Sequence, residues 1–82
     1  MTNFYYVYTL ESEAGTKNHY TGFTTDLTAR LIKHNKGDVP HTSKHRPWKI
    51  LTAVSFRDKS KALAFEKYLK SGSGREFARR HF

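Results

Sequence analysis

Phe4-Tyr5-Tyr6-Val7-Tyr8-Thr9-Leu10 is aromatic or β-branched at nearly every position and short enough for a single strand. Both alternating sets of side chains are apolar or aromatic, so the strand is expected at the centre of a sheet, covered on both faces. Glu11 to Asn18 is polar, and Gly15 is available for a positive φ, which reads as a hairpin loop. His19 to Phe23 then supplies a short second strand, antiparallel to the first.

Working outward, Thr24, Thr25 and Asp26 each offer a side-chain oxygen to cap a helix from about Asp26 to Lys36. Leu27, Leu31 and Ile32 are its expected apolar side, and Gly37 fits just past its end. Asp38 to Pro47 reads as a loop and Trp48 to Phe56 as a strand. Ser60 can cap a second helix running to about Ser71, with Ala62, Phe65 and Leu69 on one stripe. Ser71-Gly72-Ser73-Gly74 reads as a break before a last short helix from Arg75 to His81. The order β-β-α-β-α-α predicts an α+β fold, a three-stranded antiparallel sheet flanked by helices.

With 82 residues the chain has room for one domain, expected to span residues 1–82. It has no cysteine, Met1 to Tyr8 lacks the pattern of a signal peptide, and no segment approaches the roughly 20 apolar residues of a membrane span. A cytoplasmic protein, taken as a monomer, is the expectation. Fifteen Lys and Arg stand against seven Asp and Glu, a formal net charge of +8. Such a balance suits a polyanion, because Lys and Arg release counterions when they meet phosphates. A merely solvated basic surface is the competing reading.

Tyr6-Val7-Tyr8 and Tyr20-Thr21-Gly22 lie on the two adjacent predicted strands. The stretches Thr24–Gly37, His45–Ile50 and Ala62–Lys70 follow, carrying Arg30, His34 and Glu66. In order and spacing this resembles the GIY-YIG nucleases, and most closely their small stand-alone bacterial members. The likeness covers roughly residues 4 to 70. Tyr6 replaces the first glycine of the signature, and Val7 and Thr21 replace its isoleucines; the reactive side chains are kept.

The resemblance implies a metal-dependent endonuclease acting on DNA, with a structure-specific role in repair or recombination. Phosphodiester hydrolysis needs an activated water, charge relief on the phosphoryl oxygens, a stabilised leaving group and alignment. By resemblance, Glu66 holds a single Mg²⁺ or Mn²⁺, and Tyr8 acts as general base or orients the water. Tyr20 would bond the scissile phosphate or its water, and His34 would position a tyrosine or shuttle a proton. Arg30 suits bidentate contact with a phosphoryl oxygen, and it shares a helix face with His34 at i, i+4. Lys33, Lys36, Lys44, Arg46, Lys67 and Lys70 are candidate nucleic-acid contacts.

Each residue also has a plainer reading. Glu66 can pair with Lys70 at i, i+4, Arg30 can be solvated, His34 can complement a helix C-terminus, and Tyr8 and Tyr20 can be core residues with satisfied hydroxyls. At the level of function, the alternatives are a non-catalytic nucleic-acid-binding module of the same fold and a domain that binds an acidic protein.

Overall fold

In the computed structural model, which describes residues 3–15 and 18–82, the first strand is β1, Tyr5–Ser12. It lies between β2, His19–Thr24, and β3, Trp48–Phe56, in an antiparallel sheet of order β2-β1-β3. The helices are α1, Leu27–Lys36, α2, Lys59–Leu69, and α3, Gly72–His81, with a 3₁₀ turn at Ser43–His45. The predicted class, element order and central strand therefore stand. Thr16 and Lys17 of the predicted hairpin loop, and Met1 and Thr2 at the chain start, lie outside the described residues. Among the described residues no helix is long and apolar enough to cross a membrane.

The double-sided apolar character of β1 explains its position. Val7 points to a core with Ala62 and Leu69, backed by Phe23, Phe56, Phe65 and Phe77, so α2 and α3 cover that face. Tyr8 and Leu10 point the other way, to a second core with Trp48, Tyr20, Leu27, Leu31 and Ile50, so α1 covers the opposite face.

A β-bulge lets β3 serve both cores. Thr9 pairs with Thr52, but Leu10 pairs with Ile50, leaving Leu51 as the extra residue. Side chains two apart normally share a face. The bulge breaks that rule, so Ile50 joins the Tyr8 core while Val54 and Phe56 lie opposite Val7 and Tyr5.

The helices bear out some sequence expectations and correct others. Asp26 is the N-cap of α1, accepting from the Ala29 N–H at 3.0 Å, and Gly37 is its left-handed C-cap at φ 84°. Ile32 is 49% exposed, because a position one residue beyond Leu31 turns out of the Leu27–Leu31 stripe. Asp58, not Ser60, caps α2, accepting from the Ser60 and Lys61 N–H groups. Ser71-Gly72-Ser73-Gly74 is no break: Ser71 caps α3 by accepting from Gly74 N–H at 3.1 Å, and Gly72 to Gly74 form its first turn. A Cβ on Gly74 would collide with the Tyr68 carbonyl, so glycine permits this tight α2–α3 junction.

Candidate active site

Tyr8 sits on β1 opposite Gly22 of β2. Its ring lies directly over that glycine; a Cβ at position 22 would come within 2.5 Å of Tyr8 Cζ and 3.0 Å of Tyr20 Cε2. The absent side chain thus makes the seat for the Tyr8 phenol. Residue 22 belongs to the quoted tripeptide, yet its contribution is steric and shows only once the strand register is known.

α1 brings His34 to the same place. His34 follows Leu27 and Leu31 down the buried side of the helix and is 0% exposed. Its Nε2 is 2.9 Å from the Tyr8 hydroxyl and its Nδ1 is 2.7 Å from Thr42 Oγ1. Thr42 is also fully buried, and its hydroxyl donates to the Val39 carbonyl at 3.3 Å. A hydroxyl has one hydrogen, so Thr42 accepts from His34 and Nδ1 carries the imidazole proton. Nε2 is then the acceptor, and the Tyr8 hydroxyl donates to it.

Thr42 is held in turn from below. Trp48 Nε1 donates to the Thr42 carbonyl at 2.8 Å. Asn35 clamps the start of β3 to α1, accepting from Trp48 N–H at 2.7 Å and donating to the Trp48 carbonyl at 3.1 Å. Ser12 Oγ donates to the His45 carbonyl at 2.6 Å. The loop between α1 and β3 is therefore tied at three points, which fixes the hydroxyl that orients His34. Nothing in the sequence distinguishes Thr42 from any other loop threonine.

Tyr20 completes an aromatic triangle. Its ring centroid is 5.0 Å from that of His34 and 6.4 Å from that of Tyr8. Burial and the neighbouring Tyr20 hold the Tyr8 hydroxyl well above the usual tyrosine range; Arg30 pulls it down and Glu66 adds to the rise. Burial pushes His34 below its ordinary value, and the charge of Arg30 adds to that fall. A neutral His34 and a protonated Tyr8 match the hydrogen-bond assignment.

Arg30 and Glu66 both act electrostatically on Tyr8, from α1 and α2. The plain partner expected for Glu66 is present: Lys70 Nζ lies 3.1 Å from Oε2. His34 is buried and neutral between Tyr8 and Thr42, so it is not the charged partner of the helix C-terminus that the plainer reading expects. Lys33, Lys36, Lys44 and Lys67 are exposed. Arg46 is also exposed, its Nε donating to the Ser43 carbonyl and its guanidinium lying close over Gly37.

Comparison with known proteins identifies the family. The family model described as the GIY-YIG catalytic domain matches residues 4–80. UPF0213 protein YsiG of Lactococcus lactis is 38% identical over 69 residues, covering 83% of this chain and 64% of its own. A UPF0213 protein of Halobacterium salinarum is 37% identical over 67 residues, covering 80% of this chain and 84% of its own. The chain thus spans a little under two thirds of the Lactococcus relative and most of the other. The solution NMR structure of the UPF0213 protein BH0048 from Bacillus halodurans superposes with a TM-score of 0.55 at 32% identity, covering 93% of this chain and 80% of that one. A match running through both tyrosine strands, the Arg30–His34 helix and the Glu66 helix places this chain in the GIY-YIG nuclease family, with UPF0213 proteins as its relatives.

Proposed function

We propose that this protein is a metal-dependent endonuclease that hydrolyses phosphodiester bonds in DNA, selective for branched, nicked or flapped structures in repair or recombination. Tyr8, Tyr20, Arg30, His34 and Glu66 are its catalytic residues, and it acts as a cytoplasmic monomer. The observation that carries this reading is the buried relay from the Tyr8 hydroxyl through His34 to Thr42. A tyrosine held above its usual range is a weak base alone. With neutral Nε2 on its hydroxyl, it can pass that proton to His34 as its oxygen accepts one from water. Arg30 pairs with a phosphoryl oxygen, and Tyr20 bonds the same phosphate or its water.

Among the described residues, no three His, Cys, Asp or Glu side chains converge as a metal cage. The donor set instead fits a hard cation held by the Glu66 carboxylate, with water and substrate phosphate completing its shell. Such an ion supplies charge relief on the phosphoryl oxygens and a more acidic water. Lys33, Lys36, Lys44, Arg46, Lys67 and Lys70 provide phosphate contacts along the DNA.

The Glu66–Lys70 pair at 3.1 Å favours a second reading, a nucleic-acid-binding module without catalysis, because a cation at Glu66 must share or displace Lys70. One experiment separates the two. Wild type and Glu66→Gln are incubated with labelled single-stranded, duplex, nicked, flapped and branched DNAs, with Mg²⁺ or Mn²⁺ and with chelator. The nuclease reading expects metal-dependent cleavage by wild type alone and equal DNA binding by both. Binding without cleavage by wild type on every substrate leaves the module.

A further inference from the structure

Tyr6 stands where the GIY-YIG signature has its first glycine, and the site described so far makes no use of its ring. Strand alternation puts Phe4, Tyr6 and Tyr8 on one side of β1. The Leu27–Leu31 side of α1 covers Tyr8. Tyr6 pairs with Thr24 of β2 and Ser55 of β3; Ser55, and Ala53 opposite Tyr8, are exposed. Phe4 and Tyr6 are each half-buried and pack against neither hydrophobic core of the described residues.

The two rings form a tilted pair, their centroids 6.3 Å apart. The Arg57 guanidinium lies over the Phe4 ring, 5.1 Å from its centroid. Such stacking engages the flat face of the guanidinium and leaves its N–H edge for phosphate oxygens. Next to the rings is a cleft of about 330 Å³, lined by Asn3, Phe4, Tyr5, Tyr6 and Thr25. Arg57 begins a basic corner with Lys59 and Lys61, all exposed and none in a salt bridge among the described residues. Asp58, between them in sequence, is committed to capping α2. An aromatic pair beside uncommitted cations suits a strand that alternates flat rings with charged linkages. An acidic peptide supplies the charge without the ring, and an intact duplex keeps its bases stacked on one another.

We propose that the Phe4–Tyr6 face takes one unpaired base of the DNA, with a phosphate of the same strand on Arg57. This rests on the reading of DNA as substrate and extends it. Two residues of strand, roughly 7 Å, separate Tyr6 from Tyr8. A base held here therefore belongs to a nucleotide at or beside the phosphate presented to Tyr8. Flapped, nicked and branched DNAs offer such a base freely, whereas an intact duplex must first unpair one.

The test is run with chelator present, so that nothing depends on cleavage. Flapped DNA and an intact duplex are titrated by fluorescence anisotropy. Tyr6→Leu should bind flapped DNA at least about fivefold more weakly and the duplex equally. Tyr6→Phe keeps the ring and should bind both as wild type does. Arg57→Ala changes an exposed side chain and should reduce the log–log salt slope on flapped DNA by about 1. For a readout on unaltered protein, iodouracil is placed at successive unpaired positions of the flap and photocrosslinked, and peptide mapping should find Phe4 or Tyr6 attached. Wild type that binds flapped DNA but crosslinks only elsewhere would overturn the proposal and leave the DNA reading standing. So would Tyr6→Leu weakening flap and duplex alike, or weakening neither. Absence of DNA binding by wild type would overturn both.

Discussion

Thr42→Val is the sharpest probe of the relay, because it changes one atom type and keeps the shape of the side chain. The hydroxyl it removes accepts from His34 Nδ1–H at 2.7 Å, and both residues are fully buried. Two responses are open to the imidazole. It can keep its proton on Nδ1 and leave a buried N–H without a partner, costing about 1–3 kcal/mol of stability. Alternatively, it can move the proton to Nε2, which then donates to the Tyr8 oxygen and can no longer take the Tyr8 proton. In the second case cleavage should slow by a factor on the order of 10²–10⁴, the usual worth of positioned proton transfer. DNA affinity should hold, because no phosphate contact is touched.

Four measurements separate these outcomes. Single-turnover cleavage reads the rate, fluorescence anisotropy reads DNA affinity, and urea denaturation reads stability. Long-range ¹H–¹⁵N spectra of the imidazole report which nitrogen carries hydrogen, with no dependence on activity. Wild type should show His34 protonated at Nδ1, and Thr42→Ser should restore both tautomer and rate. A wild-type His34 protonated at Nε2 would refute the relay outright. So would a Thr42→Val variant that cleaves at the wild-type rate with its tautomer reversed.

Three further expectations follow from the same geometry. Gly22→Ala places a methyl 2.5 Å from Tyr8 Cζ, so it should cost about 1–3 kcal/mol by denaturation and dislodge the Tyr8 hydroxyl from His34, slowing cleavage. His34 is depressed below its unfolded value near 6.5, so the unfolded chain takes up more protons as pH falls. Stability should therefore be full above about pH 6.5 and decline below it, before ordinary carboxylates titrate; urea midpoints at pH 7.5 and 5.5 check this, and His34→Gln should flatten the slope. DNA affinity should fall steeply with salt, and Lys44→Ala should reduce the log–log slope by about 1 while lowering affinity similarly on every sequence.

The sheet was legible because its signals are local. β1 announced its central place through two apolar faces, and Asp26 and Gly37 bracketed α1 with side-chain and backbone chemistry that a sequence displays. His34 and Arg30 were legible as a pair because helix spacing puts them on one side. What escaped depends on register and distant packing. The bulge at Leu51 follows from β3 serving two cores, which no window of β3 reveals. Ser71 to Gly74 looked like a break because two glycines and two serines favour turns, yet Ser71 caps the helix and Gly74 fits where a Cβ would strike Tyr68. Thr42 became meaningful only when Trp48 and Asn35 folded its loop over His34.

The placement of the candidate site follows from sheet order. Tyr8 and His34 belong to the face that α1 covers, whereas Glu66 belongs to α2, which packs on the other face. A carboxylate from one face can act on a phenol of the other where the sheet ends, and β2 is an edge strand whose Gly22 lies under the Tyr8 ring. Position 22 thus seats the phenol on the edge strand. The charges there are opposed by construction. Arg30 favours ionisation of Tyr8 and Glu66 disfavours it. With Lys70 beside it in the resting protein, Glu66 still raises Tyr8, though less than burial and Tyr20 do. In the nuclease proposed here, a cation on Glu66 would relieve that smaller influence and leave burial and Tyr20 holding the proton on Tyr8 until His34 takes it.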